Sequence, residues 1–346
     1  MPIWVFERDA SIAFATPSFC TGLMHMNQPQ PLVSVVMACY NSERFLRQAI
    51  ESVLGQTYRN LELVIVDDCS TDSTVSIIEQ YASVDSRVRL FRHTQRGGRP
   101  AITKNTALQH VRGSFICFLD HDDYYQPDKI ATLLELLETN QDCFAAFHDV
   151  DVVDGDGRFV RRYLEGFPED AKKYLTAVDK DVFVCSRDFF AFQSIHYLAV
   201  STLSMMIAAD RIPKDSLVFD PRFKVCDDAF LWIGLSMDGM MVYVDRILGC
   251  YRQHETNITA DREKYLVDAV FYLEENLARV KDRMNPHDVE ALKGRLAGYF
   301  SDLGWLYRST NRSRRSFSAC LQAWKWSRSP MHLIHASKAF FPPRSS

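Results

Sequence analysis

Short apolar runs alternate with stretches of helical period through the first half of the chain. Val33–Ala38, Leu61–Val66, Val88–Phe91 and Ser114–Leu119 are dominated by Val, Ile, Leu and Phe. Each has the length of a strand buried on both faces. Between them, Glu43–Leu54 and Thr74–Tyr81 carry helical spacing. Asn41 or Ser42 stands where it could cap the first helix, and Asp72 or Ser73 where it could cap the second. Pro127–Thr139 reads as another helix, with Pro127 near its first turn and Ile130, Leu133, Leu134 and Leu137 on one face.

This alternation predicts an α/β fold, a mostly parallel sheet flanked by helices. From Asp261 the period becomes helical throughout. Leu266, Ala269, Val270, Leu273 and Leu277 share a face, and three or four helices are expected before Phe341. A hairpin between Leu303 and Pro330 has the outline of one tetratricopeptide unit, but no internal repeat accompanies it.

Composition narrows the class. With 346 residues, 47% hydrophobic and 24% charged, the chain can bury a full core. Its net charge of −4 is unevenly spread: from Trp305 onward there are eight Lys and Arg and no acid, so the first 304 residues carry −12. An acidic body with a basic tail suggests a second surface with its own partner. The nine cysteines are scattered with no C-x-x-C pair, which points to packing thiols in a reducing, cytoplasmic compartment. No run of 18 apolar residues is present. Residues 1–21 have no basic segment ahead of the apolar one, so they make a poor signal peptide. Met24 or Met26 could be the true start, with residues 1–30 an N-terminal extension outside the ordered fold.

Polar residues gather where three predicted strands end: Tyr40-Asn41, Asp67-Asp68 and Asp120-His121-Asp122-Asp123. In parallel sheets ligands bind beyond the carboxyl ends of the strands. Two carboxylates about 5 Å apart repel by roughly 3 kcal/mol at an effective dielectric near 20. A divalent cation relieves this and can bridge carboxylates to phosphates. A solvated acidic turn ahead of the helix at Pro127 is the competing reading. Asp68 could accept hydrogen bonds from a base or ribose, and Arg99, beside Gly97-Gly98, could grip phosphate oxygens. Asp228, before the apolar Phe230-Leu231-Trp232, could be a general base or a helix cap. His254 could ligate a metal or a phosphate, or play a structural part. No G-x-G-x-x-G follows the first strand, and neither a P-loop nor a G-x-S-x-G elbow occurs.

Taken in order, Val35–Asn41, Val64–Asp72 and Phe118–Asp123 resemble the family-2 glycosyltransferases of the GT-A fold. Weaker similarity appears at 226–232 and in Tyr251-Arg252-Gln253-His254. The resemblance implies a GT-A catalytic domain at 31–260, with a nucleotide-binding half at 31–137 and an acceptor half at 138–260, then a C-terminal helical region at 261–346. It implies that Ala38 and Tyr40 line the nucleobase pocket, Asp68 binds the base, Arg99 lies by the base or diphosphate, and Asp120 approaches the ribose. Asp122 would hold Mn²⁺ or Mg²⁺, with His254 a further candidate ligand, and Asp228 would deprotonate the acceptor with inversion. The chain departs from the family phrases at Ala38, where Pro or Thr is common, at Lys104, where Arg is usual, and at Asp227, where Glu is usual.

The expected partners are a nucleotide-diphosphate-sugar donor and a saccharide or lipid-linked acceptor, with no nucleic acid, in cell-surface polysaccharide or glycolipid synthesis. A sugar nucleotidyltransferase would need a Gly-rich, Arg-containing loop after the first strand, where Cys39-Tyr40-Asn41-Ser42 stands. A GT-A-fold binding protein that has lost activity would show a broken acidic triplet. Residues 305–346 combine basic with aromatic side chains, as a surface docking at the inner face of a membrane would. Equally, these aromatics could pack helices onto the catalytic domain.

Overall fold

A computed structural model of the chain describes residues 30–340 apart from Lys214. The extension assigned to 1–30 lies, except for Gln30, outside the described residues. The chain runs β1 (Val33–Cys39), α1 (Leu46–Leu54), β2 (Leu61–Asp67), α2 (Thr74–Val84), β3 (Val88–Arg92), α3 (Pro100–Leu108), β4 (Phe115–Phe118), β5 (Tyr124–Tyr125) and α4 (Lys129–Thr139). It continues β6 (Cys143–Val153), β7 (Phe159–Arg162), α5 (Phe167–Asp170), β8 (Leu175–Ala177), β9 (Val182–Cys185), α6 (Phe189–Ile195), β10 (Met205–Ala208), α7 (Asp227–Ser236) and β11 (Met240–Arg252). Four helices close it: α8 (Arg262–Val280), α9 (Pro286–Ser309), α10 (Ser313–Ser327) and α11 (Pro330–Ser337).

The strands form one mixed, mostly parallel sheet in the order β3-β2-β1-β4-β10-β6-β11-β9-β8. Pairing is parallel from β3 to β4, and again between β6 and β11. Side-chain alternation explains the apolar runs. Val36, Val64, Val66, Ile116 and Phe118 pack on one face with α3, α6, α7 and the C-terminal helices, and Val35, Met37, Leu63, Ile65 and Cys117 pack on the other with α1, α2 and α4. The chain order turns back at β1, with β2 on one side of it and β4 on the other, and this is the switch point at which such sheets open a crevice.

Among the described residues no helix is long and apolar enough to cross a membrane. Eight cysteines are described, all free thiols and all buried but Cys69. Gly304 lets α10 approach closely: a Cβ there would meet the Cys320 Sγ at 2.7 Å, and the Ser316 hydroxyl donates to the Gly304 carbonyl at 2.7 Å.

At the amino ends of the strands, away from the crevice, Glu62 is buried. It accepts from Ser34 Oγ (2.6 Å), Arg89 Nη1 (2.6 Å) and the Arg112 N–H (2.7 Å). Removing one partner of a buried ion pair leaves the other charge uncompensated. Glu62→Ala is expected to destabilise the fold by about 3 kcal/mol in urea unfolding; a loss below ~1 kcal/mol would show that water replaces the carboxylate.

Candidate active site

The loops after β1 and β2 are stitched together by side chains. Asn41 and Cys69 adopt left-handed backbone, with φ of 49° and 63°, a strained choice for Cys. The Asn41 side chain accepts the Thr71 N–H (2.9 Å), and its own N–H reaches Ser70 Oγ (2.9 Å). Glu43 accepts from the Ser73 N–H and Asp72 from the Glu43 N–H, at 2.9 and 3.2 Å. Asn41 and Ser42 therefore do not cap α1 with their side chains; the helix begins at Leu46, behind a Phe45 with no side-chain cap. Asp72 does serve the start of α2, accepting the Thr74 N–H at 3.0 Å.

Ala38, Tyr40, Asp68, Arg99, Asp120, Asp122, Asp228 and His254 all line one cavity of about 1000 Å³ over the carboxyl ends of β1, β2 and β4. That volume lies at the upper end of the range for small-molecule sites. Asp68 accepts from the Gly97 N–H (2.7 Å), the Gly98 N–H (2.9 Å) and His93 Nδ1 (2.7 Å). Burial opposes its charge, but these hydrogen bonds prevail and hold its carboxyl below the usual range. Gly97 passes so close that a Cβ would meet Asp68 Oδ1 at 3.2 Å, and Gly98 has a φ of +71°. Arg99 Nη1 donates to the carbonyls of Pro221 and Arg222, the latter at 2.8 Å, which ties the start of α3 to the segment before α7. Arg96, not singled out in the sequence, stacks over the Tyr40 ring at 3.8 Å.

The acidic triplet divides. Asp123 turns inward, buried, and accepts the Arg252 N–H at 2.8 Å. All three line the cavity, Asp120 and Asp122 being the less buried. His254 Nε2 lies 2.9 Å from Asp122 Oδ2, which also accepts from Asn257 Nδ2 at 3.1 Å. Burial works against the Asp122 charge, yet the His254 hydrogen bond and the charges of His121 and His254 keep its carboxyl low. Burial, then the neighbouring Asp122, pushes Asp120 up against the pull of Lys104.

The donor types of Asp122 and His254 suit Mn²⁺. Two ligands about 2.1 Å from an ion, on adjacent corners, stand about 3 Å apart. Among the described residues no cluster of three or more His, Cys, Asp or Glu could hold an ion. A metal here would take its other donors from a bound phosphate and water, the usual habit of Mg²⁺ with nucleotides.

Opposite this pair, Asp227 and Asp228 open α7. Asp268, on α8, accepts the backbone N–H groups of Lys224, Val225 and Cys226 at 2.8–3.0 Å and fixes the approach to α7. Asp227 is buried and paired with Lys104 Nζ at 3.0 Å. Asp228 faces the cavity and accepts from Thr202 Oγ1 at 2.8 Å. Burial, then the charge of Asp227, pushes its carboxyl up to about 6, while Lys104 and the hydrogen bonds from Thr202 and the Ala229 N–H pull it down. That value suits a base working near neutrality. Tyr265, Tyr272, Arg295 and Tyr299 of α8 and α9 complete the wall. They lie so far along the chain from the β-strand phrases that only the folded structure reveals their part.

Residues 34–196 match the family described as glycosyl transferase family 2. TuaG of Bacillus subtilis (strain 168), a glycosyltransferase assigned to teichuronic acid biosynthesis, is 27% identical over 69% of this chain and 86% of its own length. An uncharacterized glycosyltransferase of Haemophilus influenzae is 41% identical over 110 residues, which is 32% of this chain and 44% of that relative. Among solved structures, S. aureus TarS 1-349 superposes with a TM-score of 0.58 at 16% identity, covering 89% of this chain and 87% of the other. The mannosyltransferase PcManGT from Pyrobaculum calidifontis, in complex with GDP-Man and Mn²⁺, gives 0.55 at 17%, covering 90% and 88%. At these identities the likeness is one of fold, the GT-A type.

Asp228 is expected to titrate with a midpoint near pH 6 in ¹³C-carboxyl NMR of the metal-free protein, its resonance assigned by loss in Asp228→Asn. A midpoint near 4, the ordinary Asp value, would mean that solvent reaches the carboxylate freely.

Proposed function

We infer the reaction from one premise, that the chain belongs to glycosyl transferase family 2: it moves a sugar from a nucleotide-diphosphate donor to a hydroxyl of a saccharide or lipid-linked acceptor, with inversion. The observation that carries this reading is Asp228, raised to about 6, in the same cavity as Tyr40, Asp68, Asp120 and Asp122. Similar structures add support: TarS has been solved in complex with UDP and with UDP-GlcNAc, and PcManGT with GDP-Man and Mn²⁺. The name of TuaG points to cell-surface polysaccharide as the product.

In this reading 31–260 is the catalytic domain and 261–346 a helical region that helps to wall its acceptor side. Ala38 and the Tyr40 ring face the base. Asp68 uses three hydrogen-bond sites on the segment after β3 and keeps about one of four for the base. Asp120 lies towards the ribose, and Arg99 towards the base or diphosphate. Asp122 and His254 would hold a divalent cation, which when bound offsets charge on the departing diphosphate. Asp228, its proton lost above pH 6, takes the acceptor's proton as that oxygen attacks the anomeric carbon. Thr202 keeps the carboxylate oriented. A single base without a protein nucleophile gives one displacement, hence inversion.

The tail supports a second, peripheral role. Tyr307, Ala319 and Ala323 are buried in the core, with Trp326 packed against it, and Arg312 and Arg315 pair with Glu263 at 2.7 and 3.5 Å. Trp305, Leu321, Met331, Leu333 and Ile334 are exposed, Trp305 by 61%. Apolar side chains set among basic ones suit an anionic bilayer. Vesicles containing phosphatidylglycerol should sediment the protein in low salt, and Met331→Glu with Leu333→Glu should leave it in the supernatant. Equal recovery with neutral and anionic vesicles would reject docking.

Nucleotide release from a panel of UDP- and GDP-sugars, with and without Mn²⁺, tests the chemistry. Asp122→Ala should abolish metal-dependent turnover with the thermal midpoint unchanged or raised; full activity would remove Asp122 from the metal site. Asp228→Asn should lower turnover at least ~100-fold with donor affinity little altered. A collapse of donor affinity instead would make Asp228 a donor ligand.

A further inference from the structure

At the end of the cavity built by the C-terminal helices, a cation stands without a counter-charge. Arg295 of α9 is half-buried and lines the cavity. Its Nη1 donates to the carbonyls of Gln193 and Ser194, at 2.9 and 2.7 Å, near the carboxyl end of α6. Its guanidinium lies 5.9 Å from the Tyr299 ring centroid, and the Tyr299 hydroxyl is a further neutral partner. Among the described residues, no carboxylate pairs with it within 4 Å. A guanidinium taken partly out of water pays for lost hydration, and neutral carbonyls restore only part of that.

A second unsatisfied group lies in the same wall. Tyr272 of α8 is buried and lines the cavity, and its hydroxyl has no hydrogen-bond partner. Buried polar groups are nearly always satisfied, so an orphan in a cavity wall points to a ligand. Tyr265 stands two helical turns earlier on α8, with its hydroxyl 3.3 Å from that of Tyr299, so aromatic rings flank the arginine. Such rings offer flat apolar surface for the faces of sugar rings. Asp228 lines the same cavity.

We propose that Arg295 and Tyr272 form an acceptor subsite for an acid group, so that the acceptor is an anionic saccharide bearing a carboxylate or phosphate. The proposal rests on the glycosyltransferase reading of the cavity. The acid group would lie against α8 and α9, with a hydroxyl of the same molecule at Asp228, which lines the same cavity. Guanidinium-to-oxyanion hydrogen bonds are roughly twice as strong as neutral ones, so the subsite selects acidic over neutral acceptors.

Saturation-transfer NMR titrations with methyl glucuronoside, methyl glucoside and glycerol 3-phosphate, in the presence of UDP or GDP and Mn²⁺, test it. At least one acid probe should bind about tenfold tighter than the glucoside, a difference of about 1.4 kcal/mol, and the ranking of the two acid probes separates carboxylate from phosphate. Arg295→Gln should erase the preference and Arg295→Lys should keep part of it, each with nucleotide affinity unchanged. Arg295 also touches α6, so Tyr272→Phe serves as a variant that loses only the orphan hydroxyl: it should fold as well as the parent and weaken the acid probe several-fold. Equal binding of acid and neutral probes, no binding of either acid probe, or a preference that survives both Arg295→Gln and Tyr272→Phe would overturn the proposal. Loss of nucleotide binding with the acid preference intact would instead count against the glycosyltransferase reading and leave the anion site standing.

Discussion

One buried ammonium makes the carboxylate-rich cavity possible. Lys104 reaches from α3 to Asp227, and the charges of Asp120 and Asp228 also act on it, so that despite burial its proton is held more tightly than usual. Without a fixed positive charge, acids converging from β4 and α7 would relieve their repulsion by protonation or by moving apart. With it, the group stays assembled, and the remaining strain falls on Asp228 and Asp120, whose carboxyls rise. A structural ion pair in the cavity wall thus acts on the protonation of its neighbours.

The same pair explains two oddities of the sequence. Lys104 and Asp227 depart from the family phrases, and they touch each other across 123 residues. Read singly, each looks like a weakening of the motif; together they make a buried ion pair at 3.0 Å. Asp227 is spent on Lys104, and Asp228 is free to face the cavity.

Local patterns were legible where the physics is local. Near-continuous burial along β1, β2 and β4 follows from a sheet covered on both faces, and the apolar face of α4 holds Ile130, Leu133, Leu134 and Leu137 as its spacing demands. The polar residues at the three strand ends do converge. Asn41 and Ser42 have the side chains of helix caps but do not cap α1, because the Asn41 side-chain oxygen accepts from the Thr71 N–H and the Ser42 hydroxyl from the Tyr40 N–H. The triplet concealed a division of labour, since nothing in Asp120–Asp123 tells which carboxylate turns inward to β11. Arg96 on Tyr40, Asn257 on Asp122 and the tyrosines of α8 and α9 were out of reach, because each depends on tertiary contact between segments with no shared pattern.

The stitching between the loops after β1 and β2 has a consequence for descent. Glu43 and Asp72, Asn41 and Thr71, Ser42 and Thr74 exchange hydrogen bonds over about thirty residues of chain. A change in either loop strands a donor or acceptor in the other, so neither can drift alone. Among relatives these two loops should be inherited as a single unit, with covariation concentrated at a separation of 29 to 32 residues. A chimera that crosses over between them, with one parent's first loop and another's second, should lose the shape of this cavity wall even where both parents keep theirs.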